Sequence, residues 1–353
     1  MATINVTTKR GDGTNSSDDI YAYQLDNILY AYDGNDTVHA GEGKDTVYGG
    51  DGTDYLYGEE GNDRLEGGDE TDALIGEEGS DILFGGNGND YIYGDAFSGA
   101  DWGASGAGDD KLYGNSGNDS LWGNDGRDWL FGGSGDDYLR GGWGDDYLNG
   151  ESGNDNIDGS YGDDDIWGLA GNDLISGGPG LDYIDAGADN DFVTGGDERD
   201  TIYGGAGNDT LDGGSLYDRV YGGDGNDVLY GGSYSDTLEG GQGNDRFVIN
   251  AWYDSRSPSY DRDLIVDFER NSGDDRIDLS RLDANPYQGG NQALVFSGSS
   301  PQAGSVWVQK TGYGPSYDQV TVYADLSYDS QADTVIDVYV DIGETLHSYD
   351  FIL

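Results

Sequence analysis

An Asp followed two residues later by Val, Leu, Ile or, once, Phe returns every nine residues along most of this chain. The series runs from Asp36 to Asp90 and, after a gap of 20 residues, from Asp110 to Asp245, making 23 units with a weaker forerunner at Asp26. The text ahead of each Asp is usually Gly-Gly-x-Gly-x, as in Gly204-Gly205-Ala206-Gly207-Asn208-Asp209-Thr210-Leu211. A period of nine fits neither a helical stripe nor a hairpin ladder. Fixed periods of this kind mark stacked repeat architectures.

The Gly-rich six residues read as a turn that needs positive φ. The remaining three read as a very short strand whose middle side chain points inward. Two units then close one coil of 18 residues, and coils stack about 4.8 Å apart. The fold class expected is all-β: a parallel β-roll, or right-handed β-solenoid of nonapeptide repeats, followed by a small antiparallel cap. Its core is a column of Val38, Val47, Leu56, Leu65 and their successors. So thin a core does not by itself offset the entropy of ordering many glycines.

The missing stabilisation has to come from the turns. Stacking puts one carboxylate above another along each edge, which is repulsive without a cation between them. Asp oxygens and turn carbonyls are hard ligands, suited to Ca²⁺ rather than Zn²⁺ or Cu²⁺. Single Asp-rich loops often only cap turns, but 23 loops in register on a chain of formal charge −55 demand a counter-ion.

That charge, from 71 acidic against 16 basic residues, also repels nucleic acid and anionic lipid, so no nucleic-acid partner is expected. No run of 18 apolar residues spans a membrane. Zero Cys excludes disulfides and thiolate chemistry. Residues 1–15 lack the apolar segment of a cleaved secretory signal.

The nonapeptide resembles the RTX, or haemolysin-type, calcium-binding repeat. The resemblance covers residues 36–247 and implies a β-roll with Ca²⁺ held between turns n and n+2 on each edge. A second resemblance lies in residues 248–353. It rests on Phe247-Val248-Ile249, Asp254-Ser255, Asp263-Leu264-Ile265-Val266-Asp267-Phe268, Gly273-Asp274-Asp275, Arg276-Ile277-Asp278-Leu279-Ser280, Ala332-Asp333 and Asp350-Phe351-Ile352-Leu353. Together these are similar to the C-terminal domain of serralysin-type metalloproteases. That likeness implies an uncleaved C-terminal export signal, the type I secretion apparatus as partner and an extracellular protein. Only eight of the 65 Gly lie beyond residue 247, where Ala293–Phe296, 306–309, 320–323 and 335–340 read as antiparallel strands closing the roll. Residues 1–35 are expected to cap the other end, with Tyr21, Tyr23, Ile28 and Tyr30 as covering side chains.

The 20-residue gap reads as two units plus two, so the edges are expected to keep their parity across a degenerate coil around Asp101-Trp102-Gly103. One edge then carries Asp36, Asp54, Asp72, Asp90, Asp110, Asp128, Asp146, Asp164, Asp182, Asp200, Asp218 and Asp236. The other carries Asp45, Asp63, Asp81, Asp119, Asp137, Asp155, Asp173, Asp191, Asp209, Asp227 and Asp245. The fourth-position Gly is lost at Glu70, Asp189, Glu198, Leu216 and Tyr234. The expected ligands exclude those turns and Asp90 beside the gap. They are the remaining Asp residues together with Gly52, Gly61, Gly117, Gly126, Gly135, Gly144, Gly153, Gly162, Gly171, Gly207, Gly225 and Gly243. Pairing intact turns gives about 12 regular sites of the weak, extracellular class. Regular calcium is expected to stop after Asp182 on the first edge and to continue at Asp209, Asp227 and Asp245 on the second.

No catalysis is expected. The two His, His39 and His347, lack the His-Glu-x-x-His context of a zinc protease. No Gly-x-Ser-x-Gly elbow occurs. The acidic pairs lie in repetitive turns, not in a singular cleft. Outward aromatics such as Tyr55, Tyr91, Trp122, Trp129 and Tyr138 leave a second reading open, a calcium-dependent glycan-binding adhesin or accessory module at a cell surface. A third, a factor acting on a host membrane, finds no apolar insertion segment.

Overall fold

A computed structural model of the chain describes residues 2–95, 108–249, 262–268, 275–280, 295–300, 302, 305–313, 317–324, 334–341 and 345–353. Two compact units emerge, Met1–Pro179 and Gly180–Leu353. Each contains a parallel β-roll in which successive nonapeptides alternate between two sheets, and the second adds an antiparallel sheet.

In the first unit, one sheet is built from strands such as Ser120–Asp125, Tyr138–Trp143 and Asn156–Tyr161, paired in parallel with Leu121↔Leu139↔Ile157 in register. The facing sheet carries Lys111–Ser116, Trp129–Ser134 and Tyr147–Ser152 with Leu112↔Leu130↔Leu148. The inward aliphatics, Leu121, Leu130, Leu139 and Leu148 among them, are 0% exposed. Strands run for six residues, not three, because the ladder continues through the two leading glycines. Gly141 shows why: it points inward like Leu139, two residues before it, and leaves no side chain to break the pleat.

Residues 1–35 belong to the same coils. Ala2–Asn5 pairs with Asp18–Tyr21, and Arg10–Asp12 with Ile28–Asp33, all in parallel. The side chains expected to cover the core there do not. Tyr23 and Ile28 are exposed, and Tyr21 and Tyr30 stack outward on His39 and Tyr48. The interior is filled by Ile20, Leu29 and Ala31, which share its period. The forerunner is likewise Asn27, two before Leu29, and not Asp26.

The gap between Asp90 and Asp110 corrects the expected edges. Ile82 pairs with Lys111 and Tyr91 with Ser120, each 29 residues on. The strands described on either side are therefore one coil apart, and 12 residues (96–107) stand in the sequence where a regular turn has one, in place of the two units plus two expected. The residues Asp101-Trp102-Gly103 lie outside those described. A register that keeps Leu83 on Leu112 preserves the apolar column, so one unit plus 11 wins over two units plus two. Asp110 therefore stacks on Asp81, not on Asp90. In the first unit the edges run Asp36, Asp54, Asp72, Asp90, Asp119, Asp137, Asp155, Asp173 and Asp45, Asp63, Asp81, Asp110, Asp128, Asp146, Asp164.

In the second unit the coils continue as Tyr183–Ala188, Thr201–Ala206, Arg219–Asp224 and Thr237–Gln242 on one sheet. Asp263–Ile265 extends that sheet and pairs with Thr334–Asp341, the edge of an antiparallel sheet with Tyr317–Ala324 and Ser305–Tyr313. Of the expected strand Ala293–Phe296, Val295–Phe296 is described, and it pairs in parallel. Phe351–Ile352 closes the other sheet beside Arg276–Asp278. Asp254-Ser255, Gly273-Asp274 and Ala332-Asp333 lie outside the described residues.

Outward rings stack on one another. Phe84, Tyr113 and Phe131 follow at 4.8 and 4.9 Å, Tyr93 lies 4.5 Å from Trp122, and Trp143 lies 4.4 Å from Tyr161, all near parallel. Such ladders stabilise a sheet through cross-strand ring pairs, and each ring covers a face of the next.

Candidate metal centres

Every ladder Asp sits at the end of its turn, where the chain re-enters the strand, and is nearly fully buried. Its Oδ1 accepts the backbone N–H of the Asp one coil earlier: Asp54 to Asp72 at 2.8 Å, Asp128 to Asp146 at 2.8 Å, Asp209 to Asp227 at 2.9 Å. Oδ2 is different. From Asp36 to Asp155, and at Asp200, Asp209, Asp218 and Asp227, it is sealed from solvent and accepts no hydrogen bond. A buried carboxylate oxygen without a partner costs several kcal/mol.

These oxygens converge with carbonyls of the following coil. A Cβ added to Gly132 would lie 2.5 Å from Asp137 Oδ2 and 2.9 Å from Gly150 O. On Gly204 it would lie 2.6 Å from both Asp209 Oδ2 and Gly222 O. The leading glycine thus leaves a space, with a carboxylate oxygen and a carbonyl oxygen as its nearest neighbours, between one coil and the next. Among the described residues no three His, Cys, Asp or Glu side chains gather closely enough to hold a metal, so backbone carbonyls must complete any coordination shell. One carboxylate with several carbonyls is a donor set for Ca²⁺.

Burial pushes these carboxyls up from 3.8, to about 6 at Asp36, about 7 at Asp54, about 8 at Asp63 and about 9 at Asp110. Neighbouring carboxylates raise them further, while the N–H donors act against the shift. The ladder also runs past the expected ligands. Asp18 and Asn27 donate to Asp36 and Asp45 Oδ1 at 2.6 and 2.5 Å, and Asp236 and Asp245 donate to Asp263 and Asp275 Oδ1 at 3.2 and 2.9 Å. The signal for Asp18, Asp263 and Asp275 was the same Asp-x-aliphatic text: Asp18 lies 18 residues before Asp36 and Asp263 lies 18 after Asp245, both on the nine-residue beat, while Asp275 lies off it.

The profile of the RTX calcium-binding nonapeptide repeat (4 copies) matches residues 12–47, 30–65, 39–73, 66–98, 95–130, 122–157, 158–193, 186–220 and 221–248. The chain belongs to this RTX repeat family. Among solved structures it is similar to the AlgE6R3 subunit of the Azotobacter vinelandii mannuronan C5-epimerase, at 27% identity over 47% of this chain and 78% of that one, with a TM-score of 0.27. No curated protein matches it. The RTX repeats make it a calcium-binding repeat protein.

At regular fourth positions of the RTX turns φ reaches 132° at Gly117 and 142° at Gly126, and an added Cβ would strike the carbonyl of the coil before. Where a side chain stands, φ falls to 75° at Glu70, 80° at Asp189, 74° at Glu198, 79° at Leu216 and 85° at Tyr234. The backbone of these turns is displaced, but the Asp ladder continues through them: Asp182, Asp200, Asp218 and Asp236 are linked at 2.9, 2.9 and 2.8 Å. Glu70 turns its own carboxylate onto the Gly52 N–H at 2.8 Å.

Proposed function

We propose that this is a secreted, non-enzymatic RTX protein that folds on binding calcium after type I export and serves at a surface or in a matrix. The observation that carries the reading is the column of buried Asp Oδ2 atoms without hydrogen-bond partners. Without a cation that column opposes folding; with one it becomes the main attraction between coils. Metal binding free energy is then folding free energy. Low cytosolic calcium keeps weak sites empty and the chain expanded, and millimolar calcium outside folds it.

The likeness of residues 248–353 to the serralysin-type C-terminal domain supports the export route. Asp350 and Phe351 are buried beside Arg276–Asp278, so a signal there is readable before folding and hidden after it. A non-enzymatic role is supported by His39, stacked between Tyr21 and Tyr57 at 4.9 and 4.7 Å with Nδ1 3.0 Å from Glu59. The pairing across residues 96–107 brings Asp81 beside Asp110 and Asp90 beside Asp119, adding two pairs to the about 12 sites counted from intact turns.

The test is far-UV circular dichroism while CaCl₂ is titrated from EDTA into the millimolar range. A cooperative gain of β signal that Mg²⁺ does not reproduce is expected. A chain already folded in EDTA would overturn the export-then-fold mechanism.

A further inference from the structure

One turn departs from the motif by gaining a buried carboxylate at its second position. The turn opening at Gly94 has Asp95 where the motif has its second Gly, and its closing residues, Gly108-Asp109-Asp110, follow the inserted segment. Asp95 is 8% exposed. Its Oδ2 accepts the Asp125 N–H of the next coil at 3.1 Å, and its backbone O accepts from Asn124 Nδ2 at 3.3 Å. Its Oδ1 is sealed from solvent and has no hydrogen-bond partner.

The same turn contains the Asp110 Oδ2, also sealed and without a hydrogen-bond partner. A Cβ on Gly94, next to Asp95, would meet that Oδ2 and lie 2.6 Å from Gly123 O. Asp81 and Asp128 flank Asp110 on the coils before and after, through N–H to Oδ1 bonds of 2.7 and 2.8 Å. Glu59 and Glu77 hold the second position in the two preceding turns of this sheet, but both are only part-buried. Asp95 alone of these brings a buried, unpaired oxygen.

We propose that Asp95 is a calcium ligand of this turn and that, with Asp110, it forms the tightest calcium site of the roll, the one filled first. The proposal rests on the calcium reading above. A regular turn offers one carboxylate and this one offers two, and calcium affinity rises with ligand charge. The placement has a structural reason. Asp95 precedes residues 96–107 and Asp110 follows them, so one ion bound to both would hold together the two ends of a 12-residue segment that replaces a single turn residue, and closing a longer segment costs more.

Equilibrium calcium binding to the full chain, read by competition with a chromophoric chelator, tests this. Wild type is expected to take up its first equivalent at least about tenfold more tightly than the rest. Asp95→Asn keeps the shape of the side chain, and Asp95→Gly restores the glycine of the motif. Both are expected to lose the tight equivalent alone and to reach the wild-type circular dichroism spectrum in millimolar calcium. Asp51→Asn, an exposed carboxylate elsewhere, controls for charge. Variants that fold and give the wild-type isotherm would overturn the proposal and leave the calcium reading intact. A wild type that binds no calcium would overturn both.

Discussion

At the residue scale, the roll depends on what sits at the fourth position of each turn. The Asp of the repeat was legible in the sequence because its burial and its period coincide. The role of that Gly was legible only as a loss, since a string of letters does not show how a backbone yields. The structure shows that Leu216, at φ 79°, accepts a left-handed conformation, a strain of about 1–3 kcal/mol for a non-glycine residue. Asp200 and Asp218 meanwhile keep their buried Oδ2. The carboxylates are in place and the backbone alone departs. Replacing both Glu198→Gly and Leu216→Gly should therefore complete a pair of regular turns. The expected result is a higher thermal midpoint in calcium and one more bound ion per chain than wild type, counted after equilibrium dialysis. An unchanged calcium count would show that fourth-position backbone does not govern binding here.

At the element scale, periodicity read the strands and their inward residues but misjudged where coils begin and break. The strand length was underestimated because a Gly without a side chain can still pair its backbone. The first coils read as a cap because Asp18-Asp19-Ile20 and Asn27-Ile28-Leu29 carry few of the motif glycines. The edges were crossed because a 20-residue interval divides two ways, and only pairing decides. Phe84 stacked on Tyr113 at 4.8 Å, with Arg64 over Phe84 at 4.1 Å, shows an unbroken outer face at the insertion. Deleting 96–106 leaves Ala107 as the third turn residue and restores a nine-residue unit. Because the flanking strands are already in register, the shortened chain should fold in calcium, stabilised by on the order of 1–2 kcal/mol from cheaper loop closure. Thermal unfolding in saturating calcium checks this, and a chain that no longer folds would restore the two-units-plus-two arrangement.

At the scale of the whole molecule, the charge of −55 is the fact that composition stated first and structure explains last. The buried ladder concentrates carboxyls whose pKa values in the metal-free fold stand at about 6 to about 9, against an ordinary 3.8. A group whose folded pKa is raised binds more protons folded than unfolded throughout the interval between the two values. The stability of the metal-free roll must therefore fall as pH rises from about 4 to about 9, which is the reverse of a salt-bridged carboxylate. Calcium acts in the opposite sense, because it needs the deprotonated oxygens and releases protons as it binds. In EDTA the β signal at pH 5 is expected to exceed that at pH 8. In a calcium titration the half-saturating concentration is expected to rise as pH is lowered from 7.5 to 5.5, by up to about tenfold per pH unit where one proton leaves per ion. Circular dichroism across both series measures the two slopes. A metal-free chain that loses β signal on acidification would mean that the turn carboxylates are not buried in that state, and that something other than their repulsion holds it open.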